Sequence, residues 1–563
     1  MRKRSHKFQN LFTLVLTMAI IVIANVLSSF VSTRFDLTAD KRYTLNEATK
    51  KLLGGLRDVV FFKVYLDGDF PPGFRRLRDE TKELLDEMRI YSKGNLEYEF
   101  IDPTKITDAS QRDELYKQLT MKGLYPTTLE EQSTDETSQK VIFPGALVSY
   151  NSQEIPLQLL KDQFGAPQEE MLNNSIRGLE YEMAATVRKL TAKFPPQIAF
   201  LQGEGELDKN HVADIWRTLG QYYGVDTVKI NNQLNALHYC NLLVVAKPDT
   251  AFTEKDKYII DQFIMKGGKV LWCIDATTAS MDSLAKRPED IAVSNNLNLD
   301  DMLFHYGARI NVDLLMDMQA VPIPVMTSGY VGNQPVQKML PWPFFPMVFP
   351  SSEHPVVNNL NAVKTEFVSS IDTVHVADVT KTILLTSSKY TRKVPVPARV
   401  SLDIMGRKPD YREYRNPYVS IAVLLEGEFT SLYKNRLVPT IEADTNIKFR
   451  EKSKPTKMIV ISDGDIIKNT YGKNGKVYPL GYDRYNNQFF GNKNLILNMI
   501  DYLVDDSGLM ALRSKQIKLR LLDKTVIQDN ELLIKSLNIG LPLLLIILFG
   551  IVKTVMRKRR YTS

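Results

Sequence analysis

Two stretches of the chain lose all alternation between polar and apolar positions. The first, residues 11–31 (LFTLVLTMAIIVIANVLSSFV), carries no charge over 21 residues, about the length a helix needs to cross a bilayer core. The second, residues 537–556 (LNIGLPLLLIILFGIVKTVM), holds one charge, Lys553, near enough to its end to snorkel. Both are read as transmembrane helices. A cleaved signal peptide is the alternative for the first, but its apolar run exceeds the roughly 7 to 15 residues of a signal core and no small-residue cleavage site follows. A buried core helix is the alternative for the second, and the RKRR that follows it argues against that.

After the first run the pattern turns at once to folded elements. Thr44 and Glu47 have capping-box spacing, and Leu45 to Leu53 should form a short helix stopped by Gly54-Gly55. VVFFKVYL (59–66) predicts a strand, RRLRDETKELLDEMRIYSKG a helix ended by Gly94, and NLEYEFIDP an alternating strand stopped at Pro103. The polar TTLEEQSTDETSQ predicts a solvated loop, and KVIFPGALVSY with EIPLQLL a strand pair. Residues 56–165 therefore resemble a thioredoxin-like α/β domain, reached through a juxtamembrane segment, 32–55. They lack C-x-x-C, which excludes that redox chemistry. Leu172, Ile176, Leu179, Met183, Val187 and Leu190 give residues 170–193 one apolar helix face. That helix either connects domains or completes the first core.

From Gln197 strands and helices alternate. QIAFLQ, TVKI, NLLVVAKP and KVLWCID read as strands, Val212 to Tyr223 as a helix ending at Gly224, and Thr253 as the cap of a helix running to Gly267-Gly268. Near-continuous apolar strands separated by helices imply a parallel sheet covered on both faces. KMIVISDGD and the helix NLILNMIDYL read as its last βα unit, so residues 194–506 form one α/β domain carrying a β-rich insertion at about 290–445. The insertion contains strand-like KTILLTSS and YVSIAVLLEG and a Pro-aromatic loop, LPWPFFPMVFP. A linker, 507–536, returns to the second span. Cys240 precedes one parallel strand and Cys273 ends its neighbour, about 15 Å out of step at the strand rise, beyond the reach of a disulfide. Two free, buried thiols are expected.

Charge changes the picture only at the tips. The net +7 includes Arg2, Lys3, Arg4 and Lys7 in the tail 1–10, Lys553 at the end of the second span, and Arg557, Lys558, Arg559 and Arg560 in the tail 557–563; removing these nine leaves −2. No basic face remains for nucleic acid. The eight tail cations set the topology, because basic clusters flanking spans stay cytoplasmic. Both termini are then cytoplasmic and the large domain lies across the membrane.

Candidate chemistry is sparse. No P-loop occurs, GEGELD (203–208) has Asp208 where a dinucleotide fingerprint needs glycine, and the six histidines have no zinc-ligand spacing. Asp463 and Asp465 stand where ligands often bind, at the carboxyl end of a parallel strand, although a turn around Gly464 explains them as well. The alternation is similar to a class I glutamine amidotransferase-like (flavodoxin-like) sheet, yet Cys273 lacks the sharp glycine turn and the partner histidine of such hydrolases. Trp342, Phe344 and Phe345 are candidate partner or ligand contacts, or a plug over the sheet. No cofactor, metal ligand or catalytic residue is identified, and the chain is read as not an enzyme.

RFDLTADKRYTLNEATKKLL, LLTSSKY, VLLEGEFTSLYKNR and MIVISDGDIIKN with PLGYDRYNNQFFGNKNLILNMIDYLVDD resemble the GldG family, the gliding-motility ABC-transporter auxiliary proteins of Bacteroidota. The resemblance implies a Gram-negative inner membrane, a periplasmic ectodomain, and a separate permease (GldF-like) and ATPase (GldA-like) as partners. That family is often called substrate-binding, but no ligand residues come with the label. The expected function is a non-enzymatic, doubly anchored auxiliary subunit packed on the permease. An envelope scaffold independent of transport, and a membrane-anchored ligand-binding protein or hydrolase, stay open.

Overall fold

The computed structural model describes residues 6–30, 44–132, 137–161, 167–287, 289–331, 334–350, 352–406, 409–436, 449–472, 475–514 and 530–561. The juxtamembrane stretch 32–43, residues 515–529 of the return linker, the end of the expected first span at Val31, and Arg2, Lys3 and Arg4 lie outside the described residues, as do the side chains of Lys7, Arg557, Lys558 and Arg560. The chain divides into two units: Met1–Asp36 with Tyr43–Lys515, and Leu37–Arg42 with Gln516–Ser563.

The larger unit begins with helix α1 (His6–Phe30), whose described apolar segment is Leu11–Ile23. Helix α2 (Glu47–Gly54) starts later than expected. Its cap is Asn46, whose side chain accepts from the Ala48 N–H, and not Thr44. The Glu180 carboxylate accepts from the Asn46 N–H (2.6 Å) and the Thr49 hydroxyl (2.9 Å), while Glu47 pairs with Lys50 (2.9 Å).

Four strands form the first sheet: β1 (Val60–Val64), β2 (Leu96–Phe100), β5 (Gly145–Tyr150) and β6 (Gln153–Gln158), in the order β2-β1-β5-β6. β1 and β2 are parallel, as the intervening helix α3 (Pro72–Tyr91) requires, and β5 and β6 run antiparallel. Val60, Phe62 and Val64 point to one face and are fully buried. Helix α4 (Ala109–Met121) follows β2. The segment expected as a loop is a hairpin, β3 (Thr127–Gln132) with β4 (Thr137–Ile142). Its few apolar residues explain this: Leu129 and Ile142 are buried in the sheet's core and hold the polar ribbon in place. Residues 133–136 at its tip lie outside the described residues.

Helix α5 (Gln168–Thr191) serves both roles the sequence left open. Its Leu172-to-Leu190 face completes the first core. Its other side meets the second sheet's region through Arg188–Asp505 (2.5 Å) and Lys189–Asp501 (2.8 Å), with Tyr181, Ala184 and Ala185 packed on Leu509, Met510 and Leu512.

Seven strands make the second sheet, in the order Val379–Thr386, Ser420–Gly427, Thr456–Ile461, β10 (Lys269–Cys273), β9 (Leu242–Ala246), β7 (Gln197–Leu201), β8 (Gly224–Val228). The five from Thr456–Ile461 to β8 are parallel. Two clusters of buried side chains cover its two faces. Helix α6 (Ala213–Leu219) is shorter than expected, and Gly224 opens β8 instead of ending the helix. The chain leaves the helix early so that Tyr223 can bury its ring and donate to Asp501 (2.7 Å). Helix α7 (Glu254–Met265) is capped by Thr253 through the Asp256 N–H. Cys240 and Cys273 are free and buried, and the register sets Cys273 opposite Ala246, out of reach of Cys240.

The insertion is more than a separate lobe. Its two strand-like runs extend the main sheet antiparallel beyond Thr456–Ile461. The Pro-aromatic loop is instead part of a long strand, Gln334–Val348, paired with Ala320–Val331. Prolines are tolerated there because most of this ribbon is two strands wide, so a missing N–H breaks no inner ladder.

The smaller unit contains the helix Glu531–Tyr561. Among the described residues, its segment Leu533–Met556 is the one long and apolar enough to cross a membrane, and none of it is buried.

Candidate functional site

Cys273 sits level with Ala246 of β9 on one side and Ile461 on the other. The residues just past these strands, Lys247, Asp275 and Asp463, therefore emerge together at the carboxyl edge of the sheet. Lys247 has φ +54°, a left-handed conformation uncommon for lysine, and its N–H donates to the Cys273 carbonyl (2.8 Å). Its ammonium lies 3.0 Å from Asp275 and also bonds Asp465. One oxygen from each of Asp275, Asp463 and Asp465 falls within 4.8 Å of the others.

Backbone geometry holds the carboxylates in place. The Gly464 N–H donates to Asp275 (2.5 Å). A Cβ on Gly464 would lie 2.7 Å from Lys247 Cγ, so only glycine lets the loop come this close. Its φ of −78° is ordinary, which makes close approach, and not the bend, the reason for glycine. Asp463 accepts from the N–H groups of Asp465 (2.9 Å) and Ile466 (3.1 Å), and its other oxygen accepts from Glu366 N–H (2.9 Å) of the insertion. Lys468 approaches Asp465 (3.5 Å), and half-buried Lys364 bonds Glu366 (2.9 Å).

Three carboxylates against two ammoniums, Lys247 among them and Lys468 at the Asp465 edge, leave a surplus of negative charge in a largely buried site. Burial raises the Asp275 carboxyl, Lys247 opposes this and Asp465 adds to it, giving about 6. Burial and the charges of Asp275 and Asp465 also push Asp463 well above the carboxylate range. Burial disfavours the Lys247 charge, but Asp275 and Asp465 outweigh it and its pKa rises. Three oxygen donors at this spacing could hold a hard cation. Lys247 already stands among them and supplies the charge. Burial raises the Cys273 thiol, beside Asp463 and Asp275, far from thiolate reactivity.

Of the residues singled out from sequence, Asp463 and Asp465 come together here. Trp342, Phe344 and Phe345 do not join them. They are 0%, 1% and 3% exposed and pack on Phe367, Val321 and Val400 as the core of the insertion, which leaves them no face for a partner. Lys247 and Asp275 were missed. The near-repeat of LWCID and IVISD, two buried strands each ending in aspartate, was the available signal for Asp275.

Residues 195–499 match the profile of a family described as an ABC-type uncharacterized transport system. Residues 39–149 match a domain of unknown function. No curated protein matches the chain. Four chains of known structure do. One, described as the mmIFT52 N-terminal domain, is 11% identical, with 55% of this chain and 97% of that chain covered at a TM-score of 0.31, too distant to carry an argument. Because the matched segment spans more than half of its 563 residues, the chain belongs to the ABC-type uncharacterized transport system family, whose members are auxiliary to ABC transport.

Proposed function

We propose that the chain is a non-enzymatic, doubly anchored auxiliary subunit of an ABC transporter of the gliding-motility type. It sits in the bacterial inner membrane with both termini cytoplasmic and the residues between its two helices in the periplasm. Its partners are a GldF-like permease, on which the helices pack, and a GldA-like ATPase, which supplies the energy. The sheet order β2-β1-β5-β6 supports a thioredoxin-like domain over residues 56–165. The parallel strands β7, β8, β9, β10 and Thr456–Ile461, in spatial order 2-1-3-4-5, support the amidotransferase-like (flavodoxin-like) reading of 194–506.

The observation that carries the proposal is the helix segment Leu533–Met556, predominantly apolar, with none of it buried, following a domain of a transport-system family. Such a surface is stable in lipid and not in water. A tethered subunit cannot leave to collect cargo, so it acts at the transporter. The Lys247-filled carboxylate cluster supports a structural role for the strand ends.

Affinity purification from membranes in mild detergent tests this, with a permease and an ATPase expected to co-purify at fixed stoichiometry. Recovery of the chain alone overturns it. Motility that survives an ATPase-dead partner would favour the envelope scaffold instead.

A further inference from the structure

Helix α5 turns a second stripe away from the first core. Tyr181, Ala184, Ala185 and Arg188 stand three and four positions apart and so share one side of the helix. The turn Leu509–Ser514, where the chain leaves the larger unit, lies on that stripe. Its Leu509, Met510 and Leu512 pack on Tyr181 and the two alanines, whose short side chains let the turn come close. The Tyr181 hydroxyl donates to Met510 Sδ, and its ring lies beside the Arg513 guanidinium (5.4 Å). Arg188 holds Asp505, whose other oxygen accepts from the Met510 N–H (3.2 Å).

The preceding residue of the same helix holds the chain's entry. Glu180 accepts from the Asn46 N–H and the Thr49 hydroxyl at the start of α2. Ala48 and Leu52, one turn apart on α2, pack against the same cluster of Tyr181, Ala184, Ala185, Leu509, Met510 and Leu512. Entry and exit therefore meet at two consecutive residues, Glu180 and Tyr181. The helix also carries its Leu172-to-Leu190 face into the first core, and its Lys189 shares the buried Asp501 carboxylate with Tyr223 of the second domain. Both α/β domains and both chain ends are thus fastened to α5. Contacts that share one cluster are not independent, because loosening one uncovers apolar surface that the other had helped to bury.

We propose that α2, α5 and the turn Leu509–Ser514 form a clasp that couples the chain's entry to its exit, so that opening at either end loosens the other. Without the Glu180 carboxylate the start of α2 frays, Ala48 and Leu52 withdraw from the shared cluster, and the packing around Tyr181 and Met510 opens. Without the Met510 side chain the cluster loses its centre and α2 loses the surface on which it rests. Such a coupling is reciprocal by thermodynamic necessity. In a chain anchored at both ends, displacement of either anchor would reach both domains through α5. That use rests on the membrane reading, whereas the coupling itself does not.

Amide hydrogen exchange of the full-length protein in detergent, resolved by mass spectrometry, tests this, since exchange reports local opening segment by segment. Glu180→Ala, at the entry, should speed exchange at least tenfold in Leu509–Ser514 as well as in α2. Met510→Ala, at the exit, should do the same in α2 as well as in its own turn. Strand β10, at the centre of the second sheet, should keep its native rate in both variants. Should either variant fail to fold, Glu180→Gln and Tyr181→Phe, which keep the size of the side chain, carry the same prediction with a smaller rise at both ends. A rise confined to the substituted end, or one that β10 shares in equal measure, overturns the proposal. Co-purification with a permease and an ATPase is a separate readout, so the clasp and the transporter reading fail independently.

Discussion

The ammonium of Lys247 lies 3.0 Å from the carboxylate of Asp275, across the ends of two neighbouring parallel strands. The same nitrogen bonds Asp465, 218 residues further along the chain. One side chain thus ties β9, β10 and the loop after the last parallel strand, at the edge where related architectures hold ligands.

Replacing Lys247 by methionine keeps its apolar stem and leaves the acids buried without their cation. Breaking a buried pair from one side costs about 3 to 5 kcal/mol. Thermal melting of the purified protein should show a large fall in Tm, and Lys247→Met combined with Asp465→Asn should recover part of it.

Acid should stabilise this region at first. The Asp275 carboxyl is raised from 3.8 to about 6 in the folded protein, chiefly by burial. Between these values the folded state holds a proton that the unfolded chain releases, so this group's contribution to stability grows as pH falls from 6 toward 4 and is lost as pH rises through 6. Asp463 shifts in the same direction. Melting temperature against pH should show this slope in the native protein and a weaker one in Asp275→Asn.

Gly464→Ala tests the close approach of the loop. The new methyl would lie 2.7 Å from Lys247 Cγ and 2.8 Å from its Cβ, and overpacking of this kind costs about 1 to 3 kcal/mol. A variant with unchanged Tm would mean that the loop relaxes freely.

Trp342 is fully buried among Phe344, Phe345 and their neighbours. Trp342→Ala should destabilise by about 3 to 5 kcal/mol, seen as increased protease sensitivity of the insertion. Loss of partner binding with melting unchanged would instead restore the ring as a contact residue.

Both thiols should be silent. Burial raises Cys240 to about 11 and Cys273 further. A thiol reagent at pH 8 should leave the native protein unlabelled and label two cysteines after denaturation; a 240–273 crosslink would contradict the register of β9 and β10.

Much of the fold was legible from short windows. Strand β1, helix α3, the Thr253 cap and the buried strands β7, β9 and β10 follow from periodicity and capping, which depend on residues a few positions apart. Asp463 and Asp465 were legible as a strand-end pair. The helix start moved to Asn46, whose N–H is held by Glu180, more than a hundred residues away. The polar hairpin β3–β4 was hidden because two apolar residues anchor twelve.

By itself the sequence determined the apolar helices, the βαβ style and the absence of known nucleotide and zinc motifs, since these are written in composition and spacing. Tertiary structure alone decided which strands are neighbours, that the insertion's strands join the main sheet, that the aromatic run is core, and that Lys247 fills the acidic cluster at the strand ends. The physical reason is register: alternation reports which side of a strand is buried, whereas the partners at a strand's end depend on how segments hundreds of residues apart align.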